Sequence, residues 1–273
     1  MIIAHSERRE LERCLGRIRE HAGAPVQVIL VDNASTDGTP QWVQRAHPEV
    51  ELIRLEQNLA YSARNFGLER AAGRYTMFLD SDAMLTDGAL PAMVRALDDH
   101  PSWGLVAPRL VNPDGSIQLS CRRFPPRSLP LMRRPPLARF LEDSRPVRWH
   151  LMADVDHTVT RPVLYAISAC HLFRTDLAKR LGGLDEAFGR GGGEDVDWCI
   201  RVWDAGFEVV YLPEATVVHE YRRRTRKSPL SKAALSHLRA FAALQWRYRK
   251  RRRELVNWNE EMDAQWDPGS GGE

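Results

Sequence analysis

The feature of this sequence that most constrains its fold is an alternation of strand-like and helix-like segments over roughly the first 110 residues. Apolar runs such as "VQVILVD" and "YTMFLD" alternate with segments such as "ERRELERCLGRIREH", in which apolar residues recur at helical spacing. Continuous apolar runs are typical of strands that are covered on both faces. The pattern therefore predicts an α/β fold in which helices flank a mixed, mostly parallel sheet.

Acidic residues stand where two of the predicted strands end. Asp32 ends the run "VILV", Asp80 ends "YTMFL", and Asp82 follows two residues later. Because ligands of such sheets bind at the carboxyl ends of strands, we expect these acids to meet in one crevice around a cation. Two alternatives stay open: Asp32 begins a turn in "DNASTDGT", and Asp80 and Asp82 belong to a solvated loop before a helix.

A second acidic pair, Glu194 and Asp195, follows a run of three glycines. The next residues have helical apolar spacing, so the pair is predicted to begin a helix, where the macrodipole favours acids. One interpretation of these acids is therefore that they cap the helix and have no other role. His219 follows the predicted strand "FEVVYLP", and a lone histidine of this kind is often structural.

The composition is that of an ordinary enzyme, with 43% hydrophobic and 27% charged residues. Four cysteines are widely spaced without a C-x-x-C pair, which favours reduced thiols over disulfides or a zinc site. The opening "MIIAHSERRE" does not resemble a signal peptide, and no apolar run approaches the length of a membrane span. We therefore expect a cytoplasmic protein.

The positive charge is concentrated near the carboxyl terminus. Residues 222–253 hold 13 Lys or Arg and no acid. The rest of the chain therefore has 26 basic and 36 acidic residues and is acidic overall. An apolar stripe in this segment predicts a basic amphipathic helix; its members are Ala234, Leu238, Phe241, Leu244 and Tyr248. Such a helix suits packing on the body together with contact at an anionic membrane, here the inner face of the plasma membrane. Nucleic-acid binding is the other interpretation, but no recognition motif accompanies it, so we expect no nucleic-acid partner.

Two further segments have a biased composition. Residues 122–148 contain six prolines and eight arginines, which predicts a loop or flap without regular structure. The final "DPGSGGE" is expected to be a disordered tail.

Four motifs in this order resemble a known family: "VDNASTDGT", "FLDSD", "GGLDEAFGRGGGEDVDWCIR" and "PEATVVHE". Over residues 1–221 the chain resembles the inverting glycosyltransferases of family 2, which have the Rossmann-like GT-A fold. The stretch "LVNPDGSIQLSCRRFP" is similar to the bacterial rhamnosyltransferase-like branch. The resemblance implies transfer of a sugar from a nucleotide-diphosphate donor to an acceptor hydroxyl, in the synthesis of cell-surface polysaccharide or glycolipid.

The resemblance also implies a divalent cation, Mn²⁺ or Mg²⁺, which neutralises the leaving diphosphate. Asp82 and His219 match the positions that bind this metal. Asp80 matches a position that contacts the ribose or lies close to the metal.

Donor binding is implied for eight positions of this sequence: Ala4, His5, Asp32, Asn33, Asn58, Arg64, Asp80 and Ser81. The carboxylate of Asp32 can accept the imide N–H of uracil or thymine, which favours a UDP- or dTDP-sugar without deciding between them. Arg64 could instead be an exposed arginine on a helix. His5 stands where the family often has an aromatic residue, and the chain begins inside the family's first strand, which leaves open a native start upstream of Met1.

By the same resemblance, Asp195 is the general base that takes the proton of the attacking hydroxyl, and Glu194 positions Asp195 or the acceptor. Trp198 and Arg201 are candidate contacts to the acceptor, which is expected to be a saccharide or a lipid-linked sugar. Residues 1–115 would form the nucleotide-sugar-binding half of the catalytic domain and 116–221 the acceptor-binding half, followed by the basic extension 222–273.

Two other functions remain as alternatives. A nucleotidyltransferase also uses a metal at a strand-end acid pair, but it would need a glycine-rich, lysine-bearing loop that "AHSERRELERC" lacks. A catalytically degenerate sugar-binding protein of the same fold is the second alternative.

Overall fold

A computed structural model of the 273-residue chain describes residues 1–133, 137–220 and 232–265. Its strands are β1 (Ile2–Ala4), β2 (Ile29–Asn33), β3 (Glu51–Leu55), β4 (Tyr75–Asp80), β5 (Ala83–Leu85), β6 (Trp103–Val111), β7 (Ile117–Gln118), β8 (Cys121–Arg122), β9 (Arg161–Pro162), β10 (Tyr165–Ala166), β11 (Cys170–Arg174) and β12 (Glu208–His219). Its helices are α1 (Arg8–His21), α2 (Thr39–Ala46), α3 (Arg64–Arg70), α4 (Ala89–Asp99), α5 (Leu129–Met132), α6 (Ala138–Leu141), α7 (Arg145–His150), α8 (Thr175–Arg180), α9 (Glu194–Asp204), α10 (Lys232–Arg247) and α11 (Arg252–Gln265). Two 3-10 helices span Ala60–Ala63 and Glu186–Gly191.

The main sheet has the strand order β3-β2-β1-β4-β11-β6-β12-β5, with β7 beside β6 and β9 beside β12. Strands β1 to β4 pair in parallel, whereas β11 runs antiparallel to both β4 and β6. A separate two-stranded sheet joins β8 and β10. The predicted mixed, mostly parallel sheet flanked by helices is confirmed.

Apolar side chains cover both faces of the main sheet. Leu11 of α1 and Met93 of α4 belong to one buried layer. Leu68 of α3 and Ile200 of α9 belong to the other. The four cysteines are buried and form no disulfide, as their spacing predicted.

The prediction of a loop without regular structure over residues 122–148 is wrong for much of that segment. Helices α5, α6 and α7 lie within it, while residues 134–136 are outside the described ranges. Pro130 and Pro146 occupy the first turn of α5 and α7, where proline is compatible with a helix because its missing N–H would have no partner there. The proline count alone therefore did not exclude helices.

The basic extension forms two helices, α10 and α11, where the sequence pattern predicted one. Ala234, Leu244 and Tyr248 of the predicted apolar stripe are buried, whereas Leu238 is 38% exposed. These three buried residues of the stripe therefore pack on the body of the protein, as predicted. Residues 222–231 and the predicted disordered tail "DPGSGGE" lie outside the described residues. Within the described ranges, no helix has the length and apolar character that crossing a membrane requires.

Candidate donor and acceptor site

The carboxyl ends of β1, β2 and β4 form one edge of the sheet. Ala4 is opposite Asp32, and Ile3 is opposite Asp80, in the parallel ladders. Asp32 is 2% exposed; its Oδ2 accepts a hydrogen bond from the amide of Ser35 at 3.4 Å, and its Oδ1 has no partner among the described residues. A buried carboxylate oxygen without a partner is costly, so this atom suits a hydrogen-bond donor from a ligand.

Asn33 and Asn58 fix the loop above this edge. The Asn33 side chain donates from Nδ2 to Asn58 Oδ1 at 3.2 Å and to the Ala60 carbonyl at 3.1 Å. Its Oδ1 accepts the Leu59 amide at 2.8 Å. His5 lies at the rim, exposed, with its Nδ1 2.8 Å from the Asn33 carbonyl. The two asparagines therefore shape the loop through bonds to protein atoms.

Arg64 is fully buried, so the alternative of an exposed helical arginine is wrong. Its Nη2 donates to Asp80 Oδ1 at 2.6 Å and to the Ser168 carbonyl at 3.0 Å, and its guanidinium lies 4.9 Å from the centre of the Phe78 ring. Burial raises the pKa of Asp80 to about 6, although Arg64 opposes this rise. Arg64 thus holds Asp80 in a fixed orientation at the end of β4.

Asp80, Asp82 and His219 form a cluster in which one ligand atom from each lies within 4.8 Å of the others. The antiparallel pairing of β5 with the end of β12, with Ala83 opposite His219, brings Asp82 and His219 together. His219 Nε2 is 3.4 Å from Asp82 Oδ1. Because residues 83–85 form a strand, the acids do not stand in a solvated loop directly before a helix.

Gln118 of β7 fixes the orientation of His219. Its Nε2 donates to the His219 carbonyl at 2.5 Å and to Asn112 Oδ1 at 2.7 Å. The amide oxygen of Gln118 therefore faces His219 Nδ1, 2.9 Å away, and accepts its proton. Because Nδ1 donates to Gln118, Nε2 is the ring atom that would bind a metal, once it has lost its proton. Gln118 could not be identified from the sequence, because no local pattern connects it to His219.

The environment of His219 is strongly acidic. Burial lowers the pKa of His219, but the hydrogen bond and charge of Asp82 and the charge of Asp80 outweigh this effect and leave the pKa above its usual value. Two carboxylates and an imidazole are a set of hard and borderline donors that fits Mn²⁺ and, less closely, Mg²⁺. Ser81, between the acids, is buried, and its hydroxyl donates to Glu7 Oε2 at 2.5 Å.

Glu194 and Asp195 occupy the first turn of α9, as predicted. Gly193 precedes them with a φ of 97°, a left-handed conformation that favours glycine. Asp195 is half-buried, and its Oδ1 accepts the amide of Val196 at 2.8 Å. Glu194 is 4% exposed, and its Oε2 has no hydrogen-bond partner among the described residues. Asp195 Oδ1 thus binds an amide of the first turn, whereas Oε2 of Glu194 takes no part in capping the helix.

The pKa values of the two adjacent carboxyl groups are both raised. Burial raises the pKa of Asp195 to about 6, against the opposing hydrogen bond from Val196. Burial also raises the pKa of Glu194, well above its usual value, and the neighbouring charge of Asp195 adds to this rise. Burial therefore favours the protonated form of both carboxyl groups relative to a carboxyl group in water.

Tyr61 connects the two groups of acids. Its pKa is raised by the charge of Glu194 and by burial, and further by Asp80 and Asp195. Tyr61 is therefore close enough to Asp80, Glu194 and Asp195 for their charges to affect it.

Comparison with known proteins identifies the family. Residues 1–182 match the sequence profile of the family described as glycosyl transferase family 2. The chain belongs to this family. It is therefore a glycosyltransferase, although α9 and His219 lie beyond the matched residues.

Two relatives come from Mycobacterium tuberculosis. Its N-acetylglucosaminyl-diphospho-decaprenol L-rhamnosyltransferase is 28% identical over 278 residues, which cover 94% of this chain and 86% of the relative. Its pre-mycofactocin glycosyltransferase is 31% identical over 208 residues, covering 74% of this chain and 39% of the relative.

Solved glycosyltransferase structures share the fold. GalNAc-T7 with UDP, GalNAc and Mn²⁺ superposes with a TM-score of 0.64 at 16% identity, over 96% of this chain and 54% of that one. Residues 1–349 of S. aureus TarS with UDP-GlcNAc give a TM-score of 0.63 at 16% identity, over 99% of this chain and 73% of that one. The fold of this glycosyltransferase is therefore of the GT-A type.

The two candidate acceptor contacts on α9 are both occupied by contacts within the protein. Trp198 is 1% exposed and packs against Phe173 at 5.4 Å between ring centres, so its face is not available to a sugar. Arg201 donates to Asp197 at 2.7 Å and to the carbonyls of Leu181 and Gly183. Both side chains stabilise α9, and we omit them from the acceptor site proposed below.

Arg122 is a residue of this glycosyltransferase that sequence reasoning did not assign. It lies opposite Tyr165 in the β8–β10 pair, and its positive charge lowers the pKa of Asp195, after the larger effects of burial and the Val196 hydrogen bond. It forms no ion pair within the described part of the chain; its one hydrogen bond there joins Nη1 to the Cys121 carbonyl at 2.7 Å. The only signal in the sequence was its membership of the arginine-rich segment.

Proposed function

We propose that the chain is a metal-dependent, inverting glycosyltransferase that uses a UDP- or dTDP-sugar as donor and the hydroxyl of a lipid-linked saccharide as acceptor. The observation that supports this most strongly is the cluster of Asp80, Asp82 and His219 at the same sheet edge as Asp32. A nucleotide at this edge would reach Asp32 with its base and the cluster with its diphosphate.

Recognition of the base is assigned to the buried end of β2. The imide N–H of uracil or thymine would donate to Asp32 Oδ1, the atom that has no partner among the described residues. Ala4, His5, Asn33 and Asn58 would line the base and ribose.

The diphosphate is assigned to the strand-end cluster. Asp82 and His219 would hold Mn²⁺ or Mg²⁺, with Asp80 close to the metal or the ribose. When bound, such an ion neutralises the charge that develops on the leaving diphosphate. Arg64 would hold Asp80 in place through their 2.6 Å hydrogen bond, and Ser81 would take part through its backbone, since its hydroxyl is bonded to Glu7.

The chemical step is assigned to Asp195. Its carboxylate would accept the proton of the acceptor hydroxyl while the hydroxyl oxygen attacks the anomeric carbon and the bond to the diphosphate breaks. Glu194, which is buried and whose pKa is raised, would position Asp195 or the acceptor. In this arrangement residues 1–115 bind the donor, 116–221 bind the acceptor, and 222–273 form the extension.

The sugar and the acceptor are proposed from the mycobacterial relative, whose name specifies L-rhamnosyl transfer to a polyprenyl-diphosphate-linked N-acetylglucosamine. We propose transfer of the same kind in cell-wall polysaccharide synthesis on the cytoplasmic side of the membrane. The exposed apolar residues of α10, which include Trp246 at 68% exposure, together with the basic side chains of 222–253 would contact anionic lipid. Equal flotation with neutral and anionic liposomes would rule out this membrane contact.

Thermal unfolding in the presence of nucleotides tests the donor site. We expect UDP or dTDP to raise the melting temperature in the presence of Mn²⁺, because a ligand that binds only the folded state stabilises it. GDP should raise it less. The effect should be lost without Mn²⁺ and in Asp82→Ala, whereas Asp87→Ala, at a highly exposed acid, should behave as the wild type. A folded wild type that no nucleotide stabilises would refute the proposal.

A further inference from the structure

The strand pair β8–β10 lies beside helix α9. Trp203, in the last turn of α9, donates from Nε1 to the carbonyl of Val163 at 3.2 Å. Nearer the start of the helix, Cys199 is hydrogen-bonded to the backbone of Ala166. The segment that contains β10 therefore runs along α9 in the direction of its first turn, where Asp195 lies.

Arg122 of β8 is opposite Tyr165 in this pair. Its guanidinium and the carboxylate of Asp195 are close enough for each charge to affect the pKa of the other group. Tyr165, which is 5% exposed, experiences both charges, because Asp195 raises its pKa and Arg122 lowers it. The packing of the strand pair and these electrostatic effects agree in placing the guanidinium near the assigned base.

The guanidinium of Arg122 has no counterion within the described ranges. Its one hydrogen bond there joins Nη1 to the carbonyl of Cys121, although a guanidinium has five N–H donors. Burial lowers the pKa of Arg122, yet the side chain keeps some exposure to solvent. A positive charge in such surroundings is costly without an anion. The side chain therefore suits an anionic ligand that enters from solvent.

A second arginine adds positive charge in the same region. The charge of Arg133, an exposed residue, lowers the pKa of both Arg122 and Tyr165. Burial and the charges of Arg122 and Arg133 hold the pKa of His150 well below its usual value, so this imidazole is neutral and adds no charge of its own. An anion with several negative oxygens would offset the repulsion between the two arginines.

We propose that Arg122 binds the diphosphate group of the acceptor, so that the glycosyltransferase selects sugars that are linked to a lipid through a diphosphate. The attacking hydroxyl and the diphosphate of such an acceptor are attached to the same sugar ring, so a hydroxyl at Asp195 brings the diphosphate near Arg122. A guanidinium can donate in parallel to two phosphate oxygens. The inference rests on the proposed function, which assigns the donor diphosphate to a metal at Asp82 and His219.

Transfer to two acceptors tests the inference. One is N-acetylglucosamine linked through diphosphate to a short polyprenyl chain, and the other is a neutral alkyl glycoside of N-acetylglucosamine. In Arg122→Gln we expect kcat/KM for the diphosphate acceptor to fall by about 10- to 100-fold, through a raised acceptor KM, because charge-assisted hydrogen bonds are lost. The value for the neutral acceptor should stay within about twofold of wild type. Arg122→Lys keeps the charge without the planar fork and should recover part of the loss.

The neutral acceptor separates binding of the diphosphate from an effect of Arg122 on Asp195 or on the fold, since such an effect would slow both reactions equally. The assays are run at pH 8, well above the pKa of about 6 for Asp195, so that the base is ionised. Arg127→Gln is the matched control, because Arg127 is an exposed arginine of the same segment and its loss changes the net charge equally. It should leave both values unchanged, and all variants should melt near the wild-type temperature.

Equal losses for the two acceptors in Arg122→Gln would overturn the inference, as would an increase confined to the donor KM, which would indicate the donor diphosphate instead. Absence of transfer by the wild type to either acceptor would refute the proposed function. Titration calorimetry in EDTA then still tests the diphosphate site. A short polyprenyl diphosphate should bind the wild type and Arg127→Gln equally, and Arg122→Gln at least about tenfold more weakly. Equal binding by all three would overturn the inference.

Discussion

The hydroxyl of Tyr248 donates a hydrogen bond to Oδ1 of Asp197 at 2.8 Å, across 51 residues of sequence. Asp197 is fully buried and also accepts from Arg201 Nε at 2.7 Å and Arg247 Nη1 at 3.0 Å. It lies two residues after the assigned base Asp195, in the first turn of the same helix. The end of α10 therefore packs against α9, the helix that carries the assigned base.

Removal of this hydroxyl should destabilise the protein. We expect Tyr248→Phe to lower the free energy of unfolding by about 1–3 kcal/mol, because a hydrogen bond to a buried carboxylate is lost. Urea denaturation measures the change. Tyr75→Phe removes a hydroxyl bonded to Asp98 at the exposed end of β4 and should cost less than about 1 kcal/mol. Equal losses in the two variants would contradict the role assigned to Asp197.

The ion pair of Arg64 and Asp80 should contribute more to the unfolding free energy than an exposed ion pair does. Arg64→Met leaves Asp80, whose side chain is 24% exposed, without its cation, so we expect a loss of about 3 kcal/mol in unfolding free energy. Arg74→Met breaks the exposed pair with Asp98 and should cost less than about 1 kcal/mol. Urea denaturation in metal-free buffer measures both changes in unfolding free energy. If Arg64→Met loses no more unfolding free energy than Arg74→Met, Asp80 does not need Arg64 as a partner.

The pH dependence of transfer should reflect Asp195. Its pKa is raised to about 6, and a base must be ionised to accept a proton, so the rate should rise with pH through 6 and level off above 7. At pH 5 the value of kcat/KM should be about a tenth of its plateau, since about a tenth of the carboxyl groups are then ionised. A rate that is constant from pH 5 to pH 8 would exclude a base with this pKa.

The nucleotide preference should depend on Asp32. We expect Asp32→Asn to weaken binding of UDP or dTDP by about tenfold or more, since the charged acceptor for the imide N–H is lost. Titration calorimetry with Mn²⁺ measures the dissociation constant. Glu56→Gln, at an exposed acid that follows β3, is the control and should leave it unchanged. A dissociation constant in Asp32→Asn that matches the wild type would remove Asp32 from the base-binding site.

The sequence predicted the elements whose signals are local. Strands β1 to β4 and their helices follow apolar periodicity, and Glu194 and Asp195 begin α9 after a glycine run, as expected. The position of β11 was not predictable, because its antiparallel pairing with β4, for example of Cys170 with Leu79, joins residues about 90 positions apart. The burial of Arg64 was missed for the same reason, since its partner Ser168 lies far along the chain.

The site residues that sequence reasoning did not find are those fixed by tertiary packing. Gln118 orients His219 across 101 residues, and Arg247 of the basic extension forms an ion pair with Asp197 of α9 across 50 residues. Trp198 shows the opposite case, because a large aromatic residue close to Glu194 and Asp195 suggested contact with the acceptor sugar, whereas its ring is buried in the core. The periodicity of apolar residues predicts which face of a helix is buried. It does not predict which polar side chains from distant parts of the sequence contact that helix.

The measurement that tests the central claim most directly is sugar transfer by wild type and Asp195→Asn, with Mn²⁺ or with EDTA, to N-acetylglucosamine on a short polyprenyl diphosphate. We predict transfer by the wild type from a dTDP- or UDP-sugar with Mn²⁺, with inversion at the anomeric carbon. EDTA should abolish it, and Asp195→Asn should lower its rate by about 10²–10⁴-fold while nucleotide binding is retained. Undiminished transfer in EDTA or by Asp195→Asn would contradict the account.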